Sequence, residues 1–302
     1  MRLTRLIDEY LIGWVILAVL LGVLVPSLRV VTQATTPILV VMVGSTSLLL
    51  SIEDVRAVDR RVLAGVLLAH LAMPLLAFTI ATVLGLSPTL TAGFVLLGAV
   101  TPELVSPTMT ALADGDIALS SISLVAIGVV SVLYTPASVI TLLGKAVHVD
   151  SGRLVSELLV AVVLPMVAAV LARSRYERVV VHYDDYYTSI ASVMVVLIIG
   201  GVAAANATHL RAVTPHLALV VTGAFTLNLL GYGLGWSITR IADATPAERL
   251  AGTFSVGMRD FAVAAALVVA AGFPAIAALP AVCFGIVEMV TSAAIAQLAT
   301  RN

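Results

Sequence analysis

Apolar residues in this chain come in long blocks, without the two-residue alternation of a sheet. Pro, Gly and clusters of charge punctuate them. Ten blocks can be drawn, at about 11–27, 36–52, 62–85, 91–113, 117–143, 154–172, 187–206, 215–241, 250–271 and 274–299. Each approaches the ~20 residues that span a hydrocarbon core as helix. In lipid every backbone N–H and C=O must find an internal partner, so such blocks predict helices. The missing alternation argues against a membrane β-barrel. The expected fold is therefore an all-α polytopic membrane protein with ten transmembrane helices. The longest polar stretch, RSRYERVVVHYDDY at 173–186, leaves no room for a soluble domain. The opening MRLTRLIDEYLIGWVILAVLLGVLVP has the charge and length of a signal peptide. It lacks a clean small-residue cleavage site, so it reads as the first span.

Basic residues orient the spans. With the N-terminus in the cytoplasm, the inner segments hold eleven arginines: 2, 5, 56, 60, 61, 173, 175, 178, 240, 249 and 301. The outer segments hold four basic residues, Arg29, Lys145, Arg153 and Arg211. That bias places both termini in the cytoplasm and supports an even number of spans. Ten divides into five and five, residues 1–150 and 151–302. An odd number per half forces the halves into opposite orientation, an inverted repeat of the kind secondary transporters use.

Composition narrows the function. Of 302 residues 61% are apolar and 11% charged, against roughly 25% charged in soluble domains. Mean hydropathy is +1.13. The net charge of −1 offers no basic stripe for nucleic acid. A single cysteine, Cys283, excludes a disulfide framework. No HExxH, P-loop, GxSxG or CxxC pattern occurs, so no enzyme is expected. The lipid bilayer is the partner that composition names, and no protein partner is evident. The expected location is a plasma (inner) membrane. His182, Asp184 and Asp185 read as a solvated loop rather than a metal site, and no cofactor is expected.

The chemistry sits in charges that interrupt the spans. Span four reads LLGAVTPELVSPTMTALADGD. Pro102 and Pro107 each remove a donor and obstruct the helix around them, so the span should unwind near Glu103 and Ser106. Span nine carries Gly257, Arg259 and Asp260 in GTFSVGMRDFAV. One buried charge costs about 2.5–3.5 kcal/mol on insertion scales. Adjacent helical side chains point apart, so Arg259 and Asp260 need unwound backbone or separate partners. Glu103 is the expected partner of Arg259. His70 in span three and Glu288 in span ten are candidate proton carriers. Asn228 in TLNLLGYGLG reads first as a helix–helix hydrogen bond.

Three segments together resemble one family. PELVSPTMTALADGDIALSSIS, FSVGMRDFAVAAALVVAAGFPAIAALPAVCFGIVEM and LLAHLAMPLLAF are similar, in order and spacing, to the span-four, span-nine/ten and span-three motifs of the bile acid:sodium symporter family. The likeness runs from about residue 36 to 300. It implies two inverted five-helix repeats, a panel and a core domain, and broken spans four and nine crossing at the substrate and sodium sites. It also implies an organic anion as substrate. The departures concern the sodium ligands. Where the family has glutamate in span nine this chain has Ser255, and Arg259 and Asp260 stand for the next glutamine and asparagine. Pro107 replaces an asparagine, Leu124 a threonine and His70 a glutamine, while Ser106 and Ser120 are kept.

A fixed cation in a sodium site repels the ion by about 4 kcal/mol at 4 Å and an effective dielectric of 20. The sequence thus predicts a secondary transporter of small or amphipathic organic anions with degraded sodium sites. Arg259 would replace one sodium, and Na⁺ or H⁺ would couple transport. A residual sodium site is possible at Ser106, Ser120 and Ser255. The alternatives are a sodium-coupled organic-anion symporter with a surviving site, and a membrane receptor or scaffold that binds without transport. An arsenite carrier is disfavoured, because Cys283 lies far from the break.

Overall fold

The computed structural model describes residues 11–50, 58–144, 150–212 and 215–300. Among the described residues every regular element is helical. Eight helical stretches there are long and apolar enough to cross a membrane. The expected first and fourth spans are not among the eight, because their helices measure 14 and 12 residues. Arg2, Arg5, Arg56, Lys145 and Arg301, used above for orientation, lie outside the described residues.

The first half starts with α1 (Leu11–Leu24), a 3-10 stretch (Pro26–Ala34) and α2 (Thr35–Ser47), which stops before the expected residue 52. Asp59 accepts the Arg61 N–H at 2.7 Å and starts α3 (Arg60–Val83). Ser87 caps α4 (Pro88–Ala99), whose first residue is a proline with no N–H to waste there. Next come α5 (Ser106–Leu112) and α6 (Ile117–Leu143), the latter capped by Asp116.

In the second half α7 (Ser151–Leu158) passes through a π-turn (Leu159–Val163) into α8 (Leu164–Arg175). Pro165 cannot donate, and the widened turn absorbs that loss. The 173–186 stretch, expected as a loop, is largely helical: α9 (Glu177–Val180), a 3-10 turn and the start of α10 (Asp184–Ala205). Arg173 ties this end together, donating to Asp184 at 2.7 Å and to the Leu48 carbonyl at 2.8 Å. After α11 (Ala207–Arg211) comes α12 (Pro215–Ile241). A Thr245–Glu248 capping box then opens α13 (Pro246–Gly257). The chain closes with α14 (Phe261–Ala270), a 3-10 turn (Ala275–Ala278) and α15 (Leu279–Ala299).

Two groups of helices pack internally. One joins α1, α2, α8 and α10. The other joins α3–α6 with α12–α15. The groups meet where α10 and α2 lie on α14. Close approach is built from glycine. A Cβ on Gly93 would stand 1.9 Å from the Ala277 carbonyl oxygen, and one on Gly235 would stand 2.2 Å from that of Gly252. Gly231 and Gly235 of the GYGLG stretch both meet the next helix in the chain, so that side of the stretch is a packing surface.

Burial separates the interrupted segment from the ordinary spans. Of an 18-residue apolar run within Pro246–Ala270, 94% is buried, against 44% of the corresponding runs in Arg60–Val83 and Ile117–Leu143. Irregular backbone at membrane depth is tolerated only inside protein or along a water-filled cavity, and this segment is placed accordingly.

A candidate ion and solute site at two crossed breaks

Span four is unwound rather than kinked. Helix α4 ends at Ala99, Val100 is extended, and α5 starts at Ser106 with Pro107 in its first turn. Pro102 lies in the gap, where it has no N–H to satisfy. Span nine breaks between Gly257 and Phe261, with Met258 extended. The two gaps cross and pair. The Glu103 N–H donates to the Met258 carbonyl at 3.4 Å, and the Asp260 N–H donates to the Thr101 carbonyl at 3.1 Å. Two strand-like bonds thus replace helical bonds that both breaks have lost.

Arg259 leaves this crossing fully buried, at 0% exposure. Its guanidinium donates to the Val256 carbonyl at 2.9 Å and to the Val100 carbonyl at 3.3 Å. The same group rests on the His70 ring, 3.1 Å from Nε2. Val100 and Val256 stand at the C-terminal ends of α4 and α13, where carbonyls are unpaired and the dipole is negative. A cation therefore sits between two negative helix ends. The expected partner Glu103 is not there: none of the guanidinium's hydrogen bonds goes to a carboxylate. The reason is geometric, since the unwound backbone turns Arg259 toward α3 and Glu103 toward α14.

The three acids occupy the opposite, N-terminal side of the breaks. Asp260 caps α14, accepting the Val263 N–H at 2.8 Å. The Glu103 carboxyl faces the N–H groups of Leu104 and Phe261. Glu288 on α15 accepts the Arg259 backbone N–H at 2.9 Å. All three are buried, at 5%, 1% and 1% exposure for Glu103, Asp260 and Glu288. They are close enough to act on one another electrostatically. Glu103 Oε2 and Asp260 Oδ2 have no hydrogen-bond partner.

Asn228 does bridge helices. Its Nδ2 donates to the Gly257 carbonyl at 3.1 Å, and its Oδ1 accepts from the Thr291 hydroxyl at 2.6 Å. Together with Glu288 it fastens the second break to α12 and α15.

Buried serine hydroxyls lie on α5, α6 and α13, which pack on one another. Ser255 donates to Ser120 at 3.3 Å. Ser106 and Ser123 are buried with unpartnered Oγ atoms. Neutral oxygens of this kind suit a small hard cation. Ser123 escaped the sequence reading, although its place three residues after Ser120 puts both on one helical face. Thr291 and the Val100 and Val256 carbonyls also escaped it. Only the backbone carbonyls left no signal at all.

Beside the crossing lies a cavity of about 320 Å³. Glu103, Met258 and Phe261 line it from the breaks, Glu288 and Ser292 from α15, and Thr188 from α10. It lies between the two groups of helices. Arg259 is not part of its lining.

The sequence profile of the family described as "Sodium Bile acid symporter family" matches residues 36–212. The chain belongs to that family. It is 28% identical over 252 residues to an Arabidopsis thaliana protein named "Probable sodium/metabolite cotransporter BASS1, chloroplastic", covering 82% of this chain and 62% of that one. It therefore spans less than two thirds of that relative. An "Uncharacterized sodium-dependent transporter" of Bacillus subtilis is 27% identical over 282 residues, covering 90% of this chain and 85% of that one. Both names describe transporters and neither an enzyme. The family and the apolar helices make this a multi-pass membrane protein of a transporter family.

Proposed function

We propose that the chain is a secondary transporter that moves a small organic solute by alternating access, with the Arg259 guanidinium standing in for one sodium ion. The observation that carries this reading is the guanidinium seated between the carbonyl ends of two broken helices. Half-helix C-termini and unwound carbonyls are where such carriers coordinate cations. Guanidinium cannot be deprotonated at ordinary pH or leave, so this position would not cycle an ion. The hydroxyls of Ser106, Ser120, Ser123 and Ser255 support a second, residual sodium site. Glu103, Asp260 and Glu288 support proton coupling in its place or beside it.

An inverted repeat supports alternating access. Helices α4 and α13 are both 12 residues long and start at Pro88 and Pro246, 158 residues apart. The left-handed residues Gly85 and Asp243, and Asp114 and Gly272, keep the same separation. Ten spans follow if the short α1 and the broken α4–α5 are counted with the eight. Rocking one group of helices against the other would open the cavity to either side.

An organic anion, the cargo implied by the resemblance, would enter this cavity only with protons on Glu103 or Glu288. The test is transport by the purified chain in proteoliposomes, offered a mixed metabolite extract under an imposed sodium or proton gradient. Gradient-driven accumulation of any solute is expected. Retained solute binding without accumulation under either gradient would support the receptor or scaffold reading instead. Sodium dependence that survives Ser106→Ala and Ser120→Ala would remove the residual site.

A further inference from the structure

We propose that the cavity beside the crossed breaks binds an organic cation, a substituted ammonium, between the carboxylates of Glu103 and Glu288. The inference rests on the transporter reading and names the charge of its cargo.

The lining has two carboxyls and no Lys, Arg or His. The one arginine nearby is outside the lining, its two Nη groups turned to Val100, Val256 and His70. An anion would need another source of positive potential, and the N-terminus of α14 is the natural one. That end is already filled by the chain itself. Asp260 caps it through Val263, and the Glu103 carboxyl faces the Phe261 N–H. An incoming anion would thus meet three acids and no free donor end.

A cation meets the opposite situation. Glu103 is 5% exposed and its Oε2 has no hydrogen-bond partner. A buried carboxylate oxygen without a donor is costly, and an ammonium group in the cavity supplies what it lacks. Around it stand Asp260 from the break and Glu288 from α15. Among the described residues no three His, Cys, Asp or Glu side chains are placed to share a metal ion, which favours an organic over a divalent metal cation.

The rest of the lining fits the organic part. Met109, Met258, Met289 and Leu112 are apolar and adaptable. Phe261 offers a ring to a quaternary ammonium. A volume of about 320 Å³ is at the lower end of the ~300–1,000 Å³ of small-ligand pockets.

The experiment measures binding, so it stands whether or not transport is found. The full chain in detergent is titrated with benzyltrimethylammonium chloride or with sodium benzoate, and ligand-dependent thermal stabilisation is read at pH 8 and pH 5.5. Choline chloride and trimethylphenylammonium chloride extend the cation series. The expected result is saturable stabilisation by at least one cation at pH 8 and none by benzoate. Glu103→Gln and Glu288→Gln should each weaken it at least tenfold. Thr108→Trp keeps both acids and fills the cavity, so it should abolish binding even if an acid variant folds poorly. Benzoate stabilisation that strengthens at pH 5.5 would overturn the proposal in favour of a proton-linked anion carrier. Stabilisation by none of the cations would overturn it as well, as would cation binding that Thr108→Trp leaves intact. A cation that binds but is not accumulated in proteoliposomes would count against the transporter reading alone.

Discussion

Replacing Arg259 by methionine keeps most of its buried volume and removes the charge and every donor. Two carbonyls, of Val100 and Val256, then lose their partner inside the protein. Each unsatisfied buried group costs about 1–3 kcal/mol, so the two together cost about 2–6 kcal/mol. One effect opposes this: the variant no longer has to bury a guanidinium. That relief is offset because Glu288 and its acidic neighbours lose the charge nearest them, and breaking a buried charge arrangement from one side is destabilising. Arg259→Met should therefore melt well below the wild type. Arg259→Gln should lose less, since its amide can still reach one carbonyl, and it should gain something new. With the tethered cation gone, sodium can occupy the two helix ends. At 100 times its dissociation constant, sodium would stabilise the variant by about 2.7 kcal/mol. The assay is thermal unfolding in detergent, with sodium exchanged for choline at constant ionic strength. Wild type supplies the baseline, so a response from the serine cluster is subtracted. An Arg259→Met variant as stable as wild type would refute the reasoning. So would an Arg259→Gln variant with no sodium response beyond that baseline.

Other expectations follow from single contacts. Asn228→Leu strands the Gly257 carbonyl, while the Thr291 hydroxyl keeps the Val287 carbonyl at 3.0 Å, and should cost about 1–3 kcal/mol for that one buried group, read as a lower melting temperature. Gly235→Ala drives a methyl into the Gly252 carbonyl and should cost about 1–3 kcal/mol as overpacking; Gly233→Ala, with open space around it, should be neutral in the same assay. Ser120→Ala combined with Ser106→Ala should abolish any sodium-specific stabilisation of the wild type, and its persistence would move the ion elsewhere. Arg173→Gln breaks a partly exposed pair, 15% and 34% exposed on its two sides, and should shift stability by no more than about 1 kcal/mol. A larger loss in that variant would mean that its bond to the Leu48 carbonyl matters more than the pair.

Much of this could be read before any coordinates. Long apolar blocks leave the backbone no alternative to helix in lipid, so the all-α fold is legible from hydropathy. Pro102 and Pro107 mark the first break because a proline's missing N–H is local chemistry. Gly257 and the two adjacent charges mark the second for similar reasons. The block at 11–27 marks a span, but not that its helix ends at Leu24. Nor did polarity at 173–186 reveal a helix, since an exposed helical turn and a solvated loop share the same composition.

Partners were another matter. Glu103 looked like the mate of Arg259 because they are opposite charges in facing breaks. The fold instead turns Arg259 to His70 and to carbonyls, one of them 159 positions away in sequence. Those carbonyls exist in every residue, so no residue type announces them. Glu288 bonding the Arg259 N–H belongs to the same class. Sequence alone determined that charges are buried at two breaks and that helices carry them, because desolvation and backbone pairing act locally. Which charge meets which helix end depends on how unwound segments cross, and only the tertiary structure decided it.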